Sequence, residues 1–314
     1  MPSWQNNLVL LLLRLTRFIY YRSDELNVET DRNVLDRLGR LFKPISPIQF
    51  QPLKINNIPA EWVTPVNLPT KRVILYLHGG GFNSGSIVSY RSMVGNIASA
   101  CKARALLIDY RLAPEHPYPS ALEDCRVAYD WLLGNGIPAE QITVMGDSAG
   151  GALTLTLLIH LRDQVMPLPA MAICLSPLTD LTMEGKSWKD NLGKDIVLNP
   201  KSIRTSIEIY LRDTDPRDPY VSPLYADLHG LPPILIQVGS YELLLSDVTR
   251  FAEKAKQAGV TVRLEVWEGM QHVWQFGASI LPEARQAIKQ ISQFVDDVYE
   301  NETRAEKLPN NSMT

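Results

Sequence analysis

A serine flanked by glycines stands where an apolar, strand-like run meets a helix-forming run. The five residues after the apolar run 142–145 are Gly146, Asp147, Ser148, Ala149 and Gly150. Glycines on both sides of a serine permit a sharp strand-to-helix turn that lifts the hydroxyl clear of the backbone. The N-terminus of the following helix also favours negative charge that develops beside it. The pattern predicts that Ser148 is a nucleophile.

A second glycine-rich loop follows the apolar run 73–77. It reads His78, Gly79, Gly80, Gly81 and Phe82, and its glycines let the backbone approach a substrate closely. Amides of such a loop, together with the amide of Ala149, can bind the oxyanion of a tetrahedral intermediate. A glycine cluster alone is explained equally well as a flexible turn, but its pairing with the serine turn favours the oxyanion interpretation.

Two further strand ends carry an acid and a histidine. Glu242 follows the apolar run 234–238, and His272 follows the run 260–266. Ligands bind beyond the carboxyl ends of the strands in an open parallel sheet, so we expect these side chains near Ser148. The order nucleophile, acid, histidine is that of α/β-hydrolases, where histidine takes the serine proton and the carboxylate orients the imidazole. Of the five histidines, only His272 occupies the junction expected for the base, since His78 heads the glycine loop and the other three lie outside such strand-end loops.

Short apolar runs alternate with longer helical patterns through most of the chain. This alternation is typical of a mostly parallel, twisted sheet with right-handed crossovers and helices on both faces. The predicted strands are 73–77, 105–109, 142–145, 171–175, 234–238 and 260–266. The fold class expected is therefore α/β, with the α/β-hydrolase fold and a helical cap.

The expected domain organisation is one catalytic domain with helical additions. Residues 1–45 mix apolar and charged positions at helical spacing and end at two prolines, which predicts an N-terminal helical cap segment. Residues 46–300 form the catalytic domain. Within it, the stretch 185–215 interrupts the rhythm of strands and helices and is predicted to be an insertion that joins the cap. Residues 301–314 are a polar tail.

These motifs resemble those of the hormone-sensitive lipase family of bacterial esterases, over about residues 73–295. The matching segments are 78–81, 109–124, 146–150, 218–224, 231–233 and 269–272. The resemblance implies a serine carboxylesterase of the α/β-hydrolase fold that hydrolyses esters of short to medium acyl chains without a cofactor. No metal is expected, because no His or Cys cluster in the sequence has the spacing of metal ligands. It also implies Ser148 as nucleophile, His272 as base, and an oxyanion hole built from the amides of Gly80, Gly81 and Ala149.

The acid departs from the commonest pattern of that family. Most relatives have aspartate after the penultimate strand, whereas this chain has Glu242 there and Asp247 five residues later. Asp247 falls near the start of a predicted helix, where a carboxylate complements the helix dipole. Glutamate is chemically adequate because its carboxylate also accepts the imidazole N–H. We therefore predict a triad of Ser148, Glu242 and His272, with Asp247 as the alternative acid.

The long match over residues 109–124 is interpreted as scaffolding. Ser120 stands three residues before Glu123, which predicts a capping box at the start of a helix. Arg111, Glu115 and Asp124 are expected to form a buried polar network.

Composition narrows the classes of partner. The chain has 314 residues, 45% of them hydrophobic, and a net charge of −3 with scattered basic residues, which disfavours a nucleic-acid partner. We expect a small-molecule ester substrate and leave a homodimer open. Cys101, Cys125 and Cys174 lie far apart in apolar segments, which predicts reduced core cysteines and a cytoplasmic location.

The N-terminus carries an apolar run at residues 8–13. It is too short to cross a bilayer, and it lacks the preceding positive charge and the cleavage site of a signal peptide. We expect an amphipathic helix that docks on the rest of the protein. Reversible contact with a membrane surface is the alternative.

Other functions can use the same residues. An amidase, a deacetylase or an acyltransferase would share the nucleophile and the oxyanion hole, so these motifs do not separate them from an esterase. A ligand-binding module that keeps the fold without turnover would be expected to lack the base. The presence of His272 therefore argues for an enzyme.

Overall fold

A central sheet organises the protein. The computed structural model describes residues 2–11, 26–67 and 71–307, with side chains as far as residue 300. Its strands are β1 (Ile48–Ile55), β2 (Ile58–Pro65), β3 (Val73–Leu77), β4 (Arg104–Ile108), β5 (Ile142–Asp147), β6 (Met171–Leu175), β7 (Ile234–Gly239) and β8 (Val262–Trp267). They lie in the order β1-β2-β4-β3-β5-β6-β7-β8. The pairs β1–β2 and β2–β4 are antiparallel, and the other pairs are parallel.

Helices cover both faces of this sheet. They are α1 (4–11), α2 (Val28–Leu41), α3 (Ile87–Ala100), α4 (Ser120–Gly134), α5 (Ser148–Asp163), α6 (Ser187–Asp190), α7 (Pro200–Leu211), α8 (Leu245–Gln257) and α9 (Pro282–Lys307). Residues of α3 and α9 share one apolar cluster with alternate sheet residues such as Ile74. Residues of α4, α5 and α8 share the other cluster with Leu75.

The central strands are buried on both faces, which explains their composition. Every residue of β3, β5, β6 and β7 is buried. A parallel strand with helices on both sides has no solvent face, so its sequence is nearly continuous in apolar residues. All six predicted strands are present to within two residues at each end, and the predicted mostly parallel sheet with helices on both faces is confirmed.

The antiparallel pair β1–β2 was not predicted. Its two strands are joined by a tight turn at Asn56 and Asn57, and Asn56 adopts a φ of 53°. Asparagine tolerates this left-handed conformation better than most residues. β1 is mostly exposed and contains Pro52, so it lacks the apolar run that marks the interior strands.

Two local predictions for residues 109–124 were wrong. Ser120 is the first residue of α4 rather than its cap, and no side chain caps this helix. Glu123 is bonded by Arg111 instead of closing a capping box. Arg111 also binds the buried Asp124, as expected, but Glu115 is exposed and pairs with Arg32 of α2. Glu115 therefore connects helix α2 to the segment 109–124.

The prediction that the three cysteines are buried and form no disulfide is confirmed. Cys101, Cys125 and Cys174 are buried, and none forms a disulfide. The apolar run 8–13 lies partly outside the described residues. In the part of the chain that the structure describes, no helix is both long enough and apolar enough to cross a bilayer.

Candidate active site

The serine turn joins β5 directly to α5. Ser148 is the first residue of the helix and adopts a φ of 51°, which is a strained conformation for a residue other than glycine. A side chain on Gly150 would collide with the carbonyl oxygens of Leu77 and His78 at the end of β3. Glycine at position 150 therefore lets α5 begin against the neighbouring strand, with the serine at the carboxyl edge of the sheet.

Glu242 and His272 meet at the same edge, after β7 and β8. His272 Nδ1 lies 2.9 Å from Glu242 Oε2, and the Glu242 side chain is fully buried. An ionised carboxylate only accepts hydrogen bonds, so Nδ1 carries the proton and Nε2 is left as the basic nitrogen. This is the arrangement that a general-base histidine requires.

Electrostatics favour the protonated form of this imidazole. Burial by itself lowers the pKa of His272, but the hydrogen bond and negative charge of Glu242 outweigh it. The pKa of His272 therefore lies above its usual value. A buried imidazolium beside a carboxylate is stabilised in the same way when it forms during a reaction.

Ser176 connects the acid to the histidine loop. It follows β6, is fully buried and adopts a φ of 47°. Its hydroxyl donates to Glu242 Oε1 over 2.7 Å and accepts from the amide of Val273 over 3.2 Å. The amide of Gly239 also donates to Oε1, so Oε2 remains for the imidazole. These bonds fix the carboxylate plane relative to His272.

The insertion holds both loops from the outside. The amide of Leu243 donates to the carboxylate of Asp195 over 2.9 Å. Asn191 donates to the carbonyl oxygens of Ser240 and Glu242. On the histidine side, Gln271 accepts from the amide of Ile196 over 2.9 Å and donates to the carbonyl of Lys194. Segment 191–196 therefore clamps the acid loop and the histidine loop together.

Two carbonyl groups of the glycine loop accept hydrogen bonds from donors in the same loop or directly after it. His78 Nδ1 lies 2.8 Å from the carbonyl oxygen of Gly79, so Nδ1 carries the proton. Burial lowers the pKa of His78 to about 4 and keeps the ring neutral. The carbonyl of Gly80 accepts from the amides of Asn83 and Ser84 and from the Ser84 hydroxyl.

The two carbonyl contacts determine where the neighbouring amides point. In a planar trans peptide, the N–H points opposite to the preceding C=O. The carbonyls of Gly79 and Gly80 are held within the loop, so the amides of Gly80 and Gly81 face away from those contacts. φ values of 109° and 62° at these two residues suit glycine. Ala149 contributes an amide from the first turn of α5, where helical N–H groups have no partner within the helix.

Asp147 joins the serine turn to the glycine loop. Its buried carboxylate accepts from the hydroxyls of Tyr76 and Tyr90, each over 2.9 Å, and from the amide of Gly79 over 3.0 Å. Burial raises the pKa of Asp147 to about 6, although these hydrogen bonds act in the opposite direction. The residue before Ser148 thereby fixes the first peptide of the glycine loop.

Asp247 faces a different set of partners. It lies in the first turn of α8, as predicted, but it is fully buried. Its carboxylate accepts from Trp188 Nε1 over 2.8 Å and lies 3.6 Å from the guanidinium of Arg250. Burial raises the pKa of Asp247 to about 6. The side chain that meets His272 is therefore Glu242.

Among the described residues, the Ser148 hydroxyl has no hydrogen-bond partner. Hydrogen bonds of a nucleophile are often long before substrate binds and shorten in the complex. The helix is held in place through its backbone, since the carbonyl of Ser148 accepts from the amide of Leu178 over 3.0 Å.

Known proteins share this architecture. A family model described as alpha/beta hydrolase fold matches residues 74–276. An acetyl-hydrolase of Streptomyces hygroscopicus is 41% identical over 268 residues, which are 85% of this chain and 89% of the relative. A crystal structure of EstE5 has a TM-score of 0.90 and 40% identity and covers 95% of this chain and 99% of its own.

A second solved structure gives the narrower family. It is an esterase from the bacterial hormone-sensitive lipase family, with a TM-score of 0.89 and 40% identity over 94% of this chain and 98% of its own. This chain belongs to the hormone-sensitive lipase family of α/β-hydrolases. The chain is similar to esterases over nearly its whole length, which shows that it is a serine carboxylesterase.

The sequence analysis did not identify two residues that support the site, Ser176 and Asp195. Ser176 directly follows the predicted strand 171–175, so the rule that drew attention to the other strand ends would have identified it too. Asp195 carried no comparable signal, because it lies in the insertion and meets the acid loop only through tertiary packing.

Proposed function

We propose that this esterase uses Ser148 as nucleophile, His272 as general base and Glu242 as the orienting acid, on esters of short to medium acyl chains. The contact between His272 Nδ1 and Glu242 Oε2 carries the proposal, because it gives the histidine beyond β8 the tautomer that a base needs. The serine turn beyond β5 lies at the same sheet edge.

The first half of the reaction transfers the acyl group to the enzyme. His272 Nε2 takes the proton of Ser148 as Oγ bonds to the ester carbonyl carbon, and the carbonyl π electrons move to its oxygen. The resulting oxyanion is bound by the amides of Gly80, Gly81 and Ala149. When the C–O bond to the alcohol breaks, His272 returns the proton to the leaving oxygen, and an acyl-serine remains.

Water completes the cycle. His272 takes a proton from a water molecule, and the water oxygen bonds to the acyl carbon at the same oxyanion site. The intermediate then collapses, Ser148 Oγ leaves, and the imidazolium returns its proton to the serine. The products are the carboxylic acid and free enzyme, and no cofactor enters this balance.

Two relatives support short acyl groups as substrates. One similar protein is named an acetyl-hydrolase, and EstE5 crystals were soaked with p-nitrophenyl butyrate. We expect acyl chains of about eight carbons or fewer to be preferred. The test is a comparison of kcat/KM over p-nitrophenyl esters from acetate to palmitate, and faster cleavage of the long-chain esters would refute this preference.

A second comparison, between an ester and its matching amide, separates an esterase from an amidase. An ester and its matching p-nitroanilide present the same acyl group to the same triad, so only the leaving group differs. We expect the ester to be cleaved far faster. Faster anilide cleavage would assign the chain to the amidases that share this machinery.

The proposed cap combines residues 1–45 with the insertion 185–215. Arg32 of α2 donates to the carbonyl of Asn83 over 2.7 Å beside the glycine loop. From the insertion, Tyr210 stacks on Phe82 with ring centroids 3.8 Å apart. Both parts therefore contact the loop that carries the oxyanion amides. Three buried free thiols support the further proposal of a reducing, cytoplasmic location.

A further inference from the structure

The first helix presents an apolar face to solvent. In α1, the exposed fractions of Trp4, Leu8 and Leu11 are 70%, 47% and 54%. These residues are spaced i, i+4 and i+7, so they lie on one side of the helix. Other large exposed apolar side chains, such as Val165, occur away from α1 in sequence. Contiguous apolar surface of this kind marks an interaction site.

The opposite side of α1 is fixed to the body of the enzyme. The amide and hydroxyl of Ser3 donate to the carboxylate of Glu283 in α9 over 2.5 and 3.0 Å. Asn6 is buried, and Val9 packs against the apolar cluster of α3 and α9. The helix is therefore oriented, with its apolar face directed away from the protein.

The charge of the N-terminal segment indicates what this face meets. The first 23 residues contain Arg14, Arg17 and Arg22 and no acidic residue, although the whole chain is negative. Apolar side chains with a tryptophan, next to arginines, are the composition of helices that lie in the surface of an anionic bilayer.

We propose that α1 is a docking helix that places Trp4, Leu8 and Leu11 into the surface of an anionic phospholipid bilayer. A second copy of this chain is a poorer occupant, because pairing two such segments would bring like charges together. The contact is reversible, since one short helix gives limited burial and the arginine attraction is screened by salt.

The position of α1 gives this contact a role in the reaction. Pro2 lies against Gly269, three residues before His272, so the docking helix adjoins the histidine loop. A bilayer bound at α1 would bring ester groups at the lipid surface close to the catalytic edge of the sheet. This role rests on the proposed function, whereas the binding itself does not depend on catalysis.

The test is flotation of the full-length protein with vesicles. Phosphatidylcholine vesicles, alone or with about a third phosphatidylglycerol, are mixed with the wild type, with Leu8→Glu/Leu11→Glu, or with Val66→Glu/Val165→Glu as a charge-matched control at exposed apolar residues elsewhere. We expect the wild type and the control to float with the anionic vesicles, and at least tenfold weaker binding for Leu8→Glu/Leu11→Glu. High salt should weaken wild-type binding.

Several outcomes would overturn the proposal. They are no flotation of the wild type, equal binding by both variants, or a wild-type dimer in light scattering that Leu8→Glu/Leu11→Glu converts to monomer without any vesicle binding. Hydrolysis of soluble p-nitrophenyl butyrate is measured in parallel. A failure of binding with normal hydrolysis rejects only the docking helix, and a failure of hydrolysis with normal binding rejects only the proposed function.

Discussion

Glu242 and Asp247 lie five residues apart and meet different partners. Glu242→Gln removes the charge that stabilises the imidazolium of His272, so we expect kcat to fall by about four orders of magnitude. The melting temperature should change little, because the amide keeps the shape of the side chain. Asp247→Asn removes a buried charge beside Trp188 and Arg250 and should mainly lower the melting temperature. The reverse pattern would assign the catalytic role to Asp247.

The pH dependence of hydrolysis tests the contact between His272 and Glu242. In the proposed mechanism only neutral His272 acts as the base, and the pKa of His272 is raised above its usual value. Activity should therefore fall as pH is lowered through a pKa above about 6.5. In Glu242→Gln the charge that raises this pKa is gone, so the acid limb of kcat/KM should move to lower pH. A limb that stays in place would show that another group controls it.

Ser176 is expected to act through Glu242. In Ser176→Ala, Oε1 loses a donor and the carboxylate becomes more basic, so the acid limb should move to higher pH, opposite to Glu242→Gln. Loss of one hydrogen bond to a charged group should lower kcat roughly tenfold. Ser99→Ala is the matched control, because the buried Ser99 hydroxyl has no partner among the described residues. Equal behaviour of the two variants would limit Ser176 to a structural role.

The sequence was sufficient to identify the candidate site residues that lie at strand ends. Gly80, Gly81, Ser148, Glu242 and His272 all follow strands, where side chains gather at one edge of the sheet. Ser176 was not identified, because its contact with Val273 joins residues that are 97 positions apart in the sequence. The sequence analysis also placed Glu115 in a buried network, because a segment match does not show which side chains face solvent.

At the scale of elements, the serine turn depends on close packing of α5 on β3. Gly150→Ala would place a methyl group against the backbone carbonyls of Leu77 and His78, so the helix and strand must separate. We expect a loss of about 3 kcal/mol in the free energy of unfolding and a large loss of activity as Ser148 moves.

The control for this variant is Gly134→Ala at the end of α4. An added methyl group there meets no atom within 4 Å, and alanine is a better helix former than glycine. Urea denaturation should show an unchanged or slightly higher midpoint for Gly134→Ala and a lower one for Gly150→Ala. Equal midpoints would mean that the turn tolerates a side chain at position 150.

Strands that are buried on both faces were predictable from the sequence, and the exposed edge strand was not. β3, β5, β6 and β7 are fully buried, so their sequences identify them without any tertiary information. The mostly exposed β1 gives no such signal. Within the predicted insertion, α7 begins with a proline in its first turn and has Asn199 as a side-chain cap, which are common features of helix N-termini.

At the scale of the whole molecule, the sheet brings together residues that are distant in the chain. Ser148 and His272 are 124 positions apart in the sequence, yet the strands before them belong to one parallel set. The order of these strands follows from the fold and not from the spacing of motifs. The alternation of strands and helices predicts a mostly parallel sheet but not the order of its strands.

Covalent labelling of the nucleophile tests the central claim most directly. A short-chain alkyl fluorophosphonate reacts with an activated serine by forming an O–P bond with loss of fluoride, and peptide mass spectrometry locates the label. We predict one label per chain, on Ser148, with hydrolysis lost in proportion. Ser148→Ala should stay unlabelled, with kcat lower by about a millionfold and an unchanged circular dichroism spectrum. Inactivation by a label on another residue, or a tenth of the activity left in Ser148→Ala, would contradict the account.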